Sequence, residues 1–211
     1  MRGLFIDTST QHMILAYLSD AVVVDMIDEV VSKDMSSQLF PKLDQLLKKN
    51  AVSIQDIDKL YVVVGPGSFT GVRIGVTVAK TMAWSMKIPI VPISSLEVLA
   101  SGGGADYICS FIDARRDCVY AGIYDCNLDL VYEDSYLFID SLKNIALSYS
   151  SFPLFVGYED NLGMDSVLPN IQLERVIKKH LNDFGISSHE VNPIYLKLTE
   201  AEEKSLNDCH S

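Results

Sequence analysis

The sequence predicts an α/β protein made of two matched β-β-β-α-β halves, each a mixed sheet flanked by helices. Three observations carry that prediction. First, the chain repeats itself: Phe5-Ile6-Asp7 returns near mid-chain as Phe111-Ile112-Asp113. Each copy closes an apolar strand, passes a polar turn and opens a second strand. Recurrence of a whole supersecondary pattern marks a duplication. Second, Leu60-Tyr61-Val62-Val63-Val64 is an unbroken apolar run of strand formers, the pattern of a strand covered on both faces. Third, Ser101-Gly102-Gly103-Gly104 is the best boundary in the chain, because glycine runs punctuate structure. The expected units are residues 1–101, residues 105–200 and a polar tail, 201–211.

Taken in order, residues 4–7, 13–18 and 22–31 form a three-strand meander around the Asp7-Thr8-Ser9-Thr10 turn. A helix follows, capped by Ser36 or Ser37, with Leu39, Leu43, Leu46 and Leu47 on one face, Pro41 near its first turn and Asn50 at its stop. Residues 53–58 form a short turn or helix. The 60–64 strand comes next, then a sharp Gly-Pro-Gly-Ser break and a helix from Phe69 to Trp84. Residues 88–93 make another strand, and Ser94 or Ser95 caps a short helix through Ala100. Beyond the glycines, strands are expected over 107–113, 118–125 and 130–138. A helix over 141–148, a strand over 153–157, a loop over 157–170 and a helix over 171–184 follow. Pro193-Ile194-Tyr195-Leu196 is an extended apolar patch.

The 69–84 helix has an unusual seam. Gly71, Gly75, Ala79 and Ala83 stand four residues apart and so stack in one row. Such a row lets another backbone approach closely, although each Gly costs roughly 0.8–1.0 kcal/mol against Ala in a helix interior. That cost requires packing, either on the chain's own sheet or on a second subunit. Ile74, Val78 and Met82 flank the row on one side, Val72 and Val76 on the other. Arg73, Thr77, Lys80 and Trp84 form a wetter stripe.

Several chemistries are excluded. The loop before this helix is no Walker A motif, since three residues, not four, separate Gly67 from Gly71 and no Lys-Ser/Thr follows. Thr70 stands where a dinucleotide fingerprint needs its third glycine. A formal net charge of −11 argues against unaided nucleic-acid binding and leaves room for a basic protein partner. Cys109, Cys118, Cys126 and Cys209 lack paired metal spacing. The first three lie in apolar, strand-like segments and are expected as buried thiols. His12, His180, His189 and His210 offer no His-x-x-x-His pair. With no leader ahead of the first strand and no run of about 18 apolar residues, a soluble cytoplasmic chain is expected.

Two β-β-β-α-β halves joined by a hinge is the plan of actin, hexokinase and Hsp70. Within it, the Asp7-Thr8-Ser9-Thr10 turn, Gly65-Pro66-Gly67-Ser68-Phe69-Thr70-Gly71-Val72-Arg73-Ile74-Gly75, Ser94-Ser95-Leu96, Ile112-Asp113-Ala114-Arg115-Arg116 and the 193–196 patch resemble the TsaB family, also called YeaZ. The resemblance covers residues 1–124 strongly and the rest loosely, apart from 193–196. It implies an actin-like fold and a non-catalytic relative of TsaD, the protein that transfers a threonylcarbamoyl group to adenosine beside the tRNA anticodon. TsaC would make the activated threonylcarbamoyl-AMP, and TsaE, an ATPase, would join through the complex. The implied partner is TsaD, or a second copy of the chain in isolation, through the 69–84 helix. The expected interface is Phe69, Thr70, Gly71, Ile74, Gly75, Val78, Ala79, Met82 and Ala83, with Lys80 and Trp84 at its edge. No catalytic residue, metal ligand, direct tRNA contact or membrane contact is expected. No cofactor is expected for the chain alone, and ATP or ADP has its place, if any, at the junction with TsaD. One departure stands out: many relatives carry His-Ser before the first helix, and here that spot is Met35-Ser36.

The remaining candidates have plainer readings. Asp7 and Asp113 end matched strands, where kinases of this fold do phosphate or Mg²⁺ chemistry, but a turn Asp bonds its own backbone. Arg115-Arg116 reads as a hairpin turn or interface ion pair, and Lys178-Lys179 as a solvated helix face. Ser68 has no activating base nearby in sequence. Two alternatives remain: an ATP-dependent small-molecule kinase, for which 157–163 is a poor adenosine site, and a glycopeptidase-like hydrolase, for which metal ligands are missing.

Overall fold

The computed structural model describes residues 1–31, 34–159, 163 and 165–197. Its first half runs β1 (Arg2–Asp7), β2 (His12–Ser19), β3 (Val22–Val30), α1 (Met35–Lys49), a 3₁₀ turn (Ile54–Asp56), β4 (Lys59–Gly65), α2 (Phe69–Met86), β5 (Ile90–Ser94) and α3 (Ser95–Ala100). Its second half runs β6 (Tyr107–Arg115), β7 (Cys118–Asp125), β8 (Leu130–Phe138), α4 (Ile139–Tyr149), β9 (Leu154–Val156), β10 (Ser166–Val167) and α5 (Leu173–Lys179). The duplication is visible in the strand order. One sheet reads β3-β2-β1-β4-β5 and the other β8-β7-β6-β9-β10. In each, the meander is antiparallel and the later strands join in parallel.

Alternation in β1 explains the layering. Phe5 faces the core between the two sheets, which it shares with Tyr61, Ile108, Ile112, Tyr124 and Val176. Leu4 and Ile6 face the opposite side, against α1 and α2. The second sheet repeats this, with Cys109 and Phe111 turned toward α4. Along α1, Leu39, Leu43, Leu46 and Leu47 are all buried, each contributing about 1.5–3 kcal/mol of transfer free energy.

Several boundaries differ from expectation. Helix α1 starts at Met35 behind Asp34, so neither Ser36 nor Ser37 is its cap; the Ser37 hydroxyl donates back to Asp34 O at 2.8 Å. Met35 packs on the core at the helix start. Ser94 does cap α3, accepting from Leu96 N at 3.1 Å. The expected 171–184 helix is shorter, ending at Lys179 with His180 as its C-cap. Cys126 is exposed, unlike Cys109 and Cys118, because it lies in the turn after β7 rather than in the strand. The tail from 198, with Cys209 and His210, lies outside the described residues.

The last described stretch returns to the first sheet. Lys59 Nζ donates to Asp183 O at 2.7 Å and Leu181 O at 3.5 Å. Ile186 and Ile90 exchange backbone bonds of 3.0 and 2.8 Å. Lys80 Nζ donates to Val191 O at 2.6 Å, and Ile194 N to Val64 O at 2.8 Å. Residues 181–195 thus form a strap over β4, β5 and α2, so the expected 105–200 unit does not keep to itself.

Candidate protein-interaction face on α2

Helix α2 is seated by the turn between β1 and β2. Ser68 caps it, accepting from Gly71 N at 3.2 Å, and Ser68 N donates to Ser9 O at 2.7 Å. Thr8 Oγ1 donates to Gly71 O at 2.7 Å, fully inside the protein. A Cβ at Gly71 would lie 2.0 Å from Thr8 O, and one at Gly75 2.6 Å from Thr8 Oγ1. Ala79 and Ala83, further along the row, are buried too. The seam therefore packs on the chain's own sheet and turn. This corrects the expected interface at Gly71, Gly75, Ala79 and Ala83, which have no free surface to offer a partner.

The other expected residues fall on the outer side. Phe69 is 54% exposed and Thr70 exposed, while Ile74, Val78 and Met82 are part-buried. Arg73, Thr77 and Thr81 are exposed beside them, and Trp84 is 66% exposed at the far end. Lys80 does not edge this face; its amine is committed to the strap. Nor are both lysines of α5 solvated: Lys179 reaches Glu97 at 3.5 Å and also donates to Leu128 O. At the N-terminal corner of α2, Arg73 Nε donates to the Tyr195 hydroxyl at 2.6 Å, and its guanidinium lies 3.6 Å from the centre of the Phe69 ring. No local pattern could have revealed that contact, whose only signal was the apolar 193–196 stretch.

The strand ends that the repeat matched differ in surroundings. Asp7 is buried and accepts Ser9 N at 2.7 Å, as a turn Asp does. Burial pushes its carboxyl up to about 6. Asp113 is exposed and accepts Arg115 N at 2.7 Å, within a hairpin turn where Arg115 and Arg116 both have positive φ. Nearby, His12 stacks on Tyr158 at 4.0 Å between ring centres and pairs with Asp28 at 2.9 Å. Burial, with Asp113 adding to it, raises the Glu159 carboxyl. Carboxylates thus end both central strands, and Asp7, the one in the first sheet, is buried and engaged with its own turn. Among the described residues, no three His, Cys, Asp or Glu side chains gather in a metal-binding arrangement.

Elsewhere, Glu97 of α3 is buried and meets both the Lys179 amine and His180 Nε2, the latter at 3.0 Å, while His180 Nδ1 reaches Asp183 at 2.7 Å. Burial pulls the imidazolium down, but hydrogen bonding and charge from Glu97, helped by Asp183, outweigh it and hold the His180 pKa above its ordinary value. Sequence reasoning missed this pair, whose members lie 83 residues apart.

Two sheets of one repeated strand order, a shared core between them and a helix laid on the first define a two-lobed actin-like α/β protein. A family model for TsaD, tRNA N6-adenosine threonylcarbamoyltransferase, matches residues 26–153. The chain is 34% identical, over 97% of both chains, to the tRNA threonylcarbamoyladenosine biosynthesis protein TsaB of Bacillus subtilis. It is 28% identical, over 92% of both, to the TsaB of Haemophilus influenzae. Among solved structures, YeaZ from Pseudomonas aeruginosa shares the fold with a TM-score of 0.77 and 24% identity, over 92% of this chain and 99% of that one. The chain belongs to the TsaB family. No helix among its described residues is long and apolar enough to cross a membrane.

Proposed function

We propose that this chain is a docking subunit of a TsaD-containing complex and carries out no chemistry itself. By its family, it works in tRNA threonylcarbamoyladenosine biosynthesis. The observation that carries the docking reading is the outer face of α2, where Phe69 and Trp84 are exposed and Ile74, Val78 and Met82 are only part-covered. A face with exposed aromatics at its two ends and part-covered aliphatics between them, on a helix whose other side is packed, suits a protein partner. The rigid seat beneath supports the reading, because a helix fixed by Thr8 and Ser9 docks without further ordering cost. An Asp7 that is buried and engaged with its own turn supports a non-catalytic role. In the absence of TsaD, a second copy would use the same face.

Calorimetry with TsaD from the same cell tests this. Val78→Glu and Met82→Glu place a charge on the outer face and should abolish association while circular dichroism stays native. Undiminished binding by both variants would reject the reading. Incubation with ATP tests the other half: ATP hydrolysis by the chain alone would reject a non-catalytic role.

A further inference from the structure

The corner where the strap meets α2 is built in a way that the apolar face alone does not explain. Arg73 projects from the exposed side of the helix and is held at two points. Its Nε donates to Tyr195 at 2.6 Å, and its plane lies over Phe69, with the guanidinium carbon 3.6 Å from the ring centre. The Phe69 and Tyr195 rings are themselves in contact, 5.3 Å apart. Tyr195 is positioned by the strap, through Ile194 N on Val64 O and Lys80 on Val191 O. Residues far apart in the chain thus fix one side chain in a single orientation.

No ion pair among the described residues involves Arg73, and its remaining donors have no partner there. That is notable in a chain with 28 acidic residues against 17 basic ones. A guanidinium with its inner nitrogen occupied still presents its outer fork, which matches a carboxylate in geometry and charge. Around it, Phe69, Ile194 and Tyr195 are each about half exposed, an apolar rim that would exclude water once covered.

We propose that Arg73, preset by Phe69 and Tyr195, is the anchor that receives an Asp or Glu carboxylate from the protein docking on α2. The proposal rests on the docking reading above and adds the chemistry of the partner: an acidic side chain set within an apolar face. It also chooses between occupants. A two-fold contact places the same surface on both sides. Helix α2 contains no acidic residue, and Asp44 of neighbouring α1 is paired with Lys48 at 2.8 Å. Helices α1 and α2 of a second copy therefore hold no unpaired carboxylate for Arg73, so a second copy covers the apolar face without filling the anchor, and the carboxylate comes from a different protein.

The test is calorimetry of the full chain against TsaD at low and high salt. Arg73→Gln should weaken binding by about tenfold or more and flatten the salt dependence. Arg73→Lys keeps the charge without the fork and should fall between. Tyr195→Phe should weaken binding, yet add little in the Arg73→Gln background, because both act through one contact. Both side chains are exposed, so the melting points of the three variants should match the wild type. Binding of Arg73→Gln within twofold of wild type, with Val78→Glu still abolishing it, would overturn the anchor and leave the docking face standing. If Val78→Glu binds normally, docking and anchor fall together. If sedimentation shows self-association that Arg73→Gln abolishes, the anchor serves a second copy and the assignment to a different protein is wrong.

Discussion

Replacing Gly75 by Ala should destabilise the protein, although helix propensity alone says the opposite. On an open helix surface, Gly→Ala gains roughly 0.8–1.0 kcal/mol. Here the new methyl would lie 2.6 Å from Thr8 Oγ1. Thr8 is 1% exposed, and its hydroxyl is held by the 2.7 Å bond to Gly71 O. Either the helix lifts or Thr8 turns away. Overpacking of this kind costs about 1–3 kcal/mol, and the lost hydrogen bond a further ~0.5–1.5 kcal/mol. Set against the propensity gain, the net loss is about 0.5–3.5 kcal/mol, or roughly 2–4 °C in melting temperature per kcal/mol for a chain of this size. Urea titration with matched m-values measures it. In a Thr8→Ala background the penalty should vanish and the propensity gain reappear, a coupling that a double-mutant cycle isolates. A plain gain of stability in the wild-type background would refute the argument, because it would mean that nothing presses on the seam. For the same reason Gly75→Leu, which on sequence grounds should spare the fold and break only partner binding, is expected to disrupt the fold itself.

Two further predictions concern pH. The Asp7 carboxyl, raised from 3.8 to about 6, binds in the folded state a proton that the unfolded chain has released. Its contribution to stability is therefore lost as pH rises from about 4 to about 6. Asp7→Asn, which keeps an acceptor for Ser9 N, should gain on the order of 2–3 kcal/mol at pH 8 and nothing near pH 4, as denaturant midpoints at the two pH values would show. The His180 pKa is raised, so its contribution is complete below its ordinary 6.5 and lost as pH climbs through the higher folded value. His180→Gln should lower the melting temperature at pH 6 more than at pH 8.5; equal losses at both would mean that the imidazolium is not what Glu97 holds.

Much of the fold was legible because its signals are local. The 60–64 run, the Gly-Pro-Gly-Ser break, the glycines at 102–104 and the echo of Phe5-Ile6-Asp7 each state their structure within a few residues. The boundaries that moved are those where tertiary context competes with a local rule. Asp34 displaced the serines as the start of α1, and His180 ended α5 early. The candidate site was only half legible. The pattern of α2 named its outer residues Phe69, Ile74, Val78 and Met82 but left open which way the small-residue row faces, and the family resemblance turned that row toward a partner.

What the sequence determined alone is the duplicated plan, the strand that feeds α2 and the family to which the chain belongs. A four-residue spacing of small side chains also established that something approaches α2 closely. It could not establish what, because a backbone from the same chain and one from a neighbour meet identical steric requirements. Only the tertiary structure decided that, by bringing Thr8 under Gly71 and Gly75. It decided the rest of the outer face too, because Tyr195 reaches Arg73 across 122 residues, and no periodicity along a chain encodes a contact made by its return.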